Sequence, residues 1–214
     1  MKGKFLLPAI FILVFALSRI PGLMPWNFSV AYAFAFCAGV YFRGAVKWWL
    51  PLVIIITTDT GLNFYYQYKY PGMNVWDLSN LANLLFNYVA YAVLIFLGSR
   101  FKPQSSVIKL ACGGMLGAIL FYLITNTASW FFNPFHSPEY TRTLAGWIIA
   151  LTKGVGGWPT TLEFFRNTLL SGGLFTALFA ATAKATSAES PADKTAGVRE
   201  PEPEAKAEPE EAKA

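Results

Sequence analysis

The sequence is poor in the side chains that most chemistry needs. Of its 214 residues only one is histidine and two are cysteine, and 14% are charged. Cys37 and Cys112 fall in separate apolar runs without a CxxC spacing, so neither a structural disulfide nor a zinc site is expected. His136 stands alone in Asn133-Pro134-Phe135-His136-Ser137-Pro138, and a metal or haem would need further ligands from elsewhere. Gly154-Val155-Gly156-Gly157 lacks the lysine and following hydroxyl of a phosphate loop. No nucleophile with a neighbouring base is visible, and Asp59 and Asp77 form no protease-like pair across the aromatic loop between them. The expectation is a protein that is not an enzyme, needs no cofactor and binds no nucleic acid. Carboxylates are scarcest of all: residues 1–184 hold only Asp59, Asp77, Glu139 and Glu163.

What is abundant is apolar. With 55% hydrophobic residues, the chain departs from the soluble balance of roughly a quarter charged and reads as an integral membrane protein. A hydrocarbon layer about 30 Å thick needs roughly 20 apolar residues per helix. Six runs offer themselves, at residues 5–20, 28–42, 48–66, 77–98, 107–132 and 159–184, the first two short for a full span. Residues 143–158 are apolar but carry Gly154, Gly156 and Gly157, and read as an interfacial or re-entrant helix before the last span. Pro159 suits a first helical turn, with Thr160 or Thr161 to satisfy free amides. The expected fold is an all-α membrane protein of six transmembrane helices.

Lys and Arg are expected in excess on the cytoplasmic side. Lys2, Lys4, Arg43, Lys47, Arg100, Lys102, Lys109 and Lys184 fall on one side of the six runs; Arg19, Lys69, Arg142 and Lys153 fall on the other. Both termini are thus expected in the cytoplasm, with all four carboxylates at the outward face as a candidate binding side. Ala16-Leu17-Ser18 also offers the small-x-small site of a secretory signal. Arg19-Ile20-Pro21 would be a poor start for a mature chain, so the first run is read as a retained span. From residue 185 the composition turns to Ala, Glu, Lys and Pro, a disordered tail with four basic and eight acidic residues against thirteen and four before it. Such a tail is expected to be a solvated segment, or else a contact for a basic cytoplasmic partner or the body's own basic loops.

Polar groups inside apolar runs must find partners. The third run ends Thr57-Thr58-Asp59-Thr60-Gly61-Leu62-Asn63, with Asp59 and Asn63 on one i,i+4 edge. Asn80, Asn83 and Asn87 recur on one face of the fourth run, and Asn126 lies in the fifth. Glu163, Arg166 and Asn167 line one face of the sixth. Arg166 has two candidate partners, Glu163 and Asp59. These groups either bind the helices to one another or surround a solute. The candidate lining is Asp59, Asn63, Asn126, Glu163, Arg166 and Asn167, with Trp130 and Trp158 for stacking or lid contacts. Small residues at spacings of four, Ala31/Ala35/Gly39, Gly113/Gly117 and Gly173/Ala177/Ala181, serve either internal packing or the docking of a second membrane protein.

Arg19-Ile20-Pro21, Pro25-Trp26-Asn27-Phe28-Ser29, Ala33 to Gly39, Tyr41-Phe42 and Pro51 to Asp59 resemble a family of small uncharacterised bacterial membrane proteins. Thr125-Asn126-Thr127-Ala128-Ser129-Trp130 and Phe164-Phe165-Arg166-Asn167-Thr168-Leu169-Leu170 extend the resemblance over residues 19–180. In general form it is similar to the substrate-binding S components of energy-coupling-factor transporters. That likeness implies an inner-membrane protein with an outward pocket for a small solute and a cytoplasmic-side partner, namely a membrane coupling subunit and its ATPase. Thr58-Asp59 replaces a Ser-Asp pair, Ser171-Gly172 replaces Gly-Asp, and the first run lacks an Ala-xxx-Ala docking stripe. The alternative expectation is a non-catalytic accessory or scaffold subunit of a larger membrane complex, with its polar groups paired together and no cavity.

Overall fold

A computed structural model describes residues 6–72 and 74–188. Over these residues the chain is all helical: α1 (Leu6–Ser18), α2 (Ala31–Tyr41), α3 (Val46–Lys69), α4 (Leu78–Gly98), α5 (Val107–Phe132), α6 (Leu144–Thr152) and α7 (Thr161–Ala188). Three of them, α4, α5 and α7, contain stretches long and apolar enough to cross a membrane. α7 continues four residues past Lys184, where the tail was expected to begin; residues 189–214, Lys2 and Lys4 lie outside the described residues.

The second run departs most from the expected set of spans. Its helix, α2, has only 11 residues and every position from Ala31 to Val40 is buried. At 1.5 Å per residue it is about 16 Å long, too short to cross the hydrocarbon layer by itself. It serves instead as the spine of the bundle, touched by α1, α3, α4, α5 and α7. Its lack of amphipathic character follows from this position, since a helix with neighbours all round has no face to give to solvent. Phe15 of α1 stacks on Phe34 at 4.9 Å between ring centroids, while Phe11 stacks on Phe179 of α7 at 4.0 Å.

The small-residue stripes of α2 and α5 pack inward, whereas that of α7 runs from buried Gly173 through half-buried Ala177 to exposed Ala181. A Cβ at Gly39 would strike the Ile95 carbonyl of α4, and one at Gly98 the Phe36 carbonyl of α2, so the two backbones cross in direct contact. Across α5, Gly113 receives the rings of Phe36 and Phe101, Gly114 meets Thr176 and the Gly172 carbonyl of α7, and Gly117 seats Leu94. Outward faces are apolar as well: Leu170, Leu174 and Leu178 of α7 are each about half exposed, at a spacing of one helical turn. A helix apolar both inside and out suits a lipid surround, where close packing rather than exclusion from water holds helices together.

Helix starts explain two of the four scarce carboxylates. Asp77 precedes α4 and accepts the Asn80 amide at 2.7 Å. α7 begins at Thr161, two residues after Pro159, because Thr160 and Glu163 form a reciprocal cap: Glu163 Oε2 accepts the Thr160 amide at 2.7 Å and Thr160 Oγ1 accepts the Glu163 amide at 3.3 Å. The segment before it gives the short α6, held on α5 by Trp147 Nε1 donating to Thr127 Oγ1 at 3.0 Å and by the Tyr122 hydroxyl donating to the Leu151 carbonyl. Gly154, at φ +75°, ends α6 by donating its amide to the Ile149 carbonyl at 2.8 Å.

The Gly98→Ala variant should lose about 3 kcal/mol of stability through the α2–α4 crossing. Gly61→Ala, whose new methyl meets nothing within 4 Å, should gain up to about 1 kcal/mol from helix propensity. Unfolding in mild detergent checks both, and equal effects at the two positions would contradict the close crossing.

Candidate functional site

The α1–α2 connection, residues 19–30, is built from two tight turns. In Ile20-Pro21-Gly22-Leu23 the Leu23 amide donates to the Ile20 carbonyl at 3.1 Å and Gly22 sits at φ +84°. In Pro25-Trp26-Asn27-Phe28 the Phe28 amide donates to Pro25 at 3.0 Å and Asn27 sits at φ +56°. Proline second and glycine third in the first turn, and asparagine at the positive φ of the second, are what type II turns require. These turns make a strap lying over one end of the bundle.

Three fasteners hold the strap. At its root, Arg19 pairs through Nη2 with Asp59 Oδ1 in the middle of α3, a link across 40 residues of chain. Asn167 of α7 donates from Nδ2 to the Trp26 carbonyl at 2.8 Å. The Trp26 and Trp158 rings meet edge to face at 6.0 Å. Two side chains expected to serve a pocket as lining or lid, Asn167 and Trp158, are thus placed where they anchor the strap.

Beneath it lies a cavity of about 640 Å³. The strap closes one side; Asp59, Leu62 and Tyr66 of α3, Asn83 and Asn87 of α4, and Thr125, Asn126 and Ser129 of α5 supply much of the remaining, largely polar wall. Tyr32, Tyr91 and Phe121 form an aromatic cluster at its side, Tyr32 and Phe121 meeting edge to face at 4.8 Å and Tyr91 and Phe121 at 4.9 Å. Asn83 Oδ1 accepts Ser129 Oγ at 3.3 Å, and Asn126 Nδ2 is bound to the Tyr122 carbonyl at 2.8 Å. Asn87, half-buried in the wall, makes no side-chain hydrogen bond among the described residues. Arg19 Nε is buried behind the wall without a partner. Through Asn87 the cavity has hydrogen-bonding capacity that its own walls leave unused.

Of the residues singled out from sequence, Asp59 and Asn126 line this cavity. Asn63 is buried one turn beyond Asp59 on α3 but is not in the wall. Trp130 donates Nε1 to the Thr141 carbonyl at 2.7 Å, tying the end of α5 to the following loop. Glu163 caps α7, and Arg166 is exposed on its first turns; neither reaches the cavity. The partner of Asp59 is Arg19, not Arg166. Glu139 lies in the loop before α6, where Oε1 accepts the Gly156 amide at 3.2 Å, and Asp77 is a cap. Only one of the four carboxylates thus belongs to the cavity. Burial, and secondarily the Glu139 carboxylate, holds the adjacent Tyr140 phenol above its ordinary pKa.

Arg19, Asn83, Asn87, Thr125, Ser129 and Trp26 were not among the expected lining residues. The asparagine repeat on α4 is a signal visible in the sequence, read there as a helix–helix contact as readily as a ligand wall. The Arg19 signal is weaker: a lone arginine ending an apolar run in a chain with one mid-span aspartate.

Fold and cavity define a helical bundle with membrane-type helices and a polar, partly open site near an end. The chain belongs to a family of unknown function, DUF6580, whose sequence model matches residues 1–193. No curated protein and no solved structure matches the chain. Among the described residues no cluster of His, Cys, Asp or Glu is arranged to hold a metal ion.

Removing one partner of the Arg19–Asp59 pair leaves a charge with little access to water, so Asp59→Ala should cost about 3 kcal/mol. Replacing both with leucine should cost clearly less than the sum of the two single leucine variants. Strictly additive losses in denaturant unfolding would mean the pair carries no coupling.

Proposed function

We propose that this chain is a six-crossing integral membrane protein that binds a small solute in the cavity beneath the strap. The observation carrying this reading is the cavity itself: about 640 Å³, within the roughly 300–1,000 Å³ of small-molecule sites, with an aromatic side and unused polar groups. Six crossings with both termini in the cytoplasm put the strap, the end of α3, the start of α4 and the end of α5 together on the outward side. These are the segments that line the cavity. Arg43, Lys47, Arg100, Lys102, Lys109 and Lys184 fall at the other end, on or beside the α2–α3 and α4–α5 connections and late in α7. A basic cytoplasmic end accords with the charge rule for membrane proteins.

In this reading α1, α2 and α3 complete the crossings together with their polar flanks, and α6 lies at the outer interface. The protein is S-component-like: it captures solute from outside and passes it to a separate energising module, a membrane coupling subunit with an ATPase, in the bacterial inner membrane. A scaffold subunit would have its polar groups paired together and would need free small-residue stripes for docking. Here Gly39, Gly98, Gly113 and Gly117 are occupied by contacts within the bundle, which favours the solute-binding reading.

Protein purified gently from its native membrane should carry a small molecule detectable by mass spectrometry. Asn87→Leu and Asn126→Leu should each reduce its retention about tenfold, the effect of roughly one hydrogen bond or slightly more. Recovery of stoichiometric membrane subunits with no small molecule, in wild type and variants alike, would favour the scaffold.

A further inference from the structure

The charges lining the cavity are confined to one pair. Among the described residues, Arg19 and Asp59 are the only ionic side chains in its wall, and they neutralise one another. Every other polar group there is uncharged: a carboxamide, a hydroxyl, the Trp26 indole N–H or backbone. A solute bearing net charge would enter a half-closed, partly aromatic space with no free counter-charge to meet it, and would give up much of its hydration without replacement. An uncharged solute avoids that loss.

The unused groups say more about its shape. Arg19 Nε is buried behind the wall, out of a solute's reach. Asn87 presents a free carboxamide, able both to donate and to accept, and Asn83 and Asn126 flank it. A carboxamide is most fully satisfied by another amide edge, which offers a donor beside an acceptor. The Tyr32, Tyr91 and Phe121 rings supply a surface for a flat group. We propose that the cavity selects an electrically neutral, planar solute with an amide-like edge, and that the mutual pairing of Arg19 and Asp59 sets this charge preference. This inference rests on the solute-binding reading and specifies its substrate class.

Three probes of one ring size differ mainly in charge: neutral benzamide, anionic benzoate and cationic benzamidine. Their affinities for the full-length protein in detergent, freed of any co-purified molecule, can be followed at neutral pH by ligand-observed NMR titration. Benzamide should saturate, with benzoate and benzamidine at least tenfold weaker, and Asn87→Leu should weaken benzamide about tenfold. Asp59→Asn releases the guanidinium and should turn the preference to benzoate by at least tenfold. Arg19→Gln releases the carboxylate and should turn it to benzamidine. The wild-type ranking decides the matter even if either charge variant fails to fold. Benzoate or benzamidine binding wild type as tightly as benzamide would overturn the charge rule while leaving solute binding intact. Saturable binding of none of the three to folded wild type would overturn both.

Discussion

A guanidinium and a carboxylate facing one another inside an apolar bundle are the constraint on which this architecture turns. Arg19 follows α1 and Asp59 lies in the middle of α3, so their contact fixes the start of the strap against a helix far away in sequence. Neither charge is tolerable there alone. Their pairing therefore specifies where the strap begins, and the strap specifies the cavity, because its two turns arch over the space between α3, α4 and α5. Asn167 and the Trp26–Trp158 contact then hold the far side of the arch.

The bundle divides along its length into a close-packed part and a hollow one. Around Gly39 and Gly98 the backbones of α2 and α4 touch, and around Gly113 and Gly114 the rings and side chains of α2, α4–α5 and α7 fill the space a Cβ would occupy. Toward the strap these glycines give way to Asn83, Asn87, Thr125, Asn126 and Ser129, whose polar side chains keep helices apart and leave room between them. A rigid base with a hollow, strapped end is the arrangement that a solute-binding membrane protein needs, since the pocket walls are positioned by packing that the solute itself does not supply.

Much of this was legible in the sequence, for identifiable reasons. Long apolar runs gave α4 and α5 to within a residue and α7 to within four. Asp59 stood out because a carboxylate in an apolar run has few tolerable surroundings. The reading of four carboxylates as one binding face did not carry through, because capping is a local use of acids that hydropathy cannot distinguish from a ligand wall: Asp77 and Glu163 satisfy helix amides. The partner of Asp59 was equally invisible, since a pairing across 40 residues depends on where the residue after α1 comes to lie in the bundle and not on any periodicity. Nor does composition reveal that α2 is a short buried spine: Ala31 to Val40 is equally apolar whether it faces lipid or five neighbouring helices.

The central claim is a solute cavity that opens to the outward side beneath the strap, and site-directed labelling tests it most directly. Asn87→Cys, in a chain with Cys37 and Cys112 replaced by alanine, places one thiol in the cavity wall. In intact cells a membrane-impermeant cationic thiol reagent should modify it from outside, and slower after Trp26 is crosslinked to Trp158 through a Cys pair that fixes the strap. Modification only from the cytoplasmic side of inverted vesicles, or only after unfolding, would contradict the account.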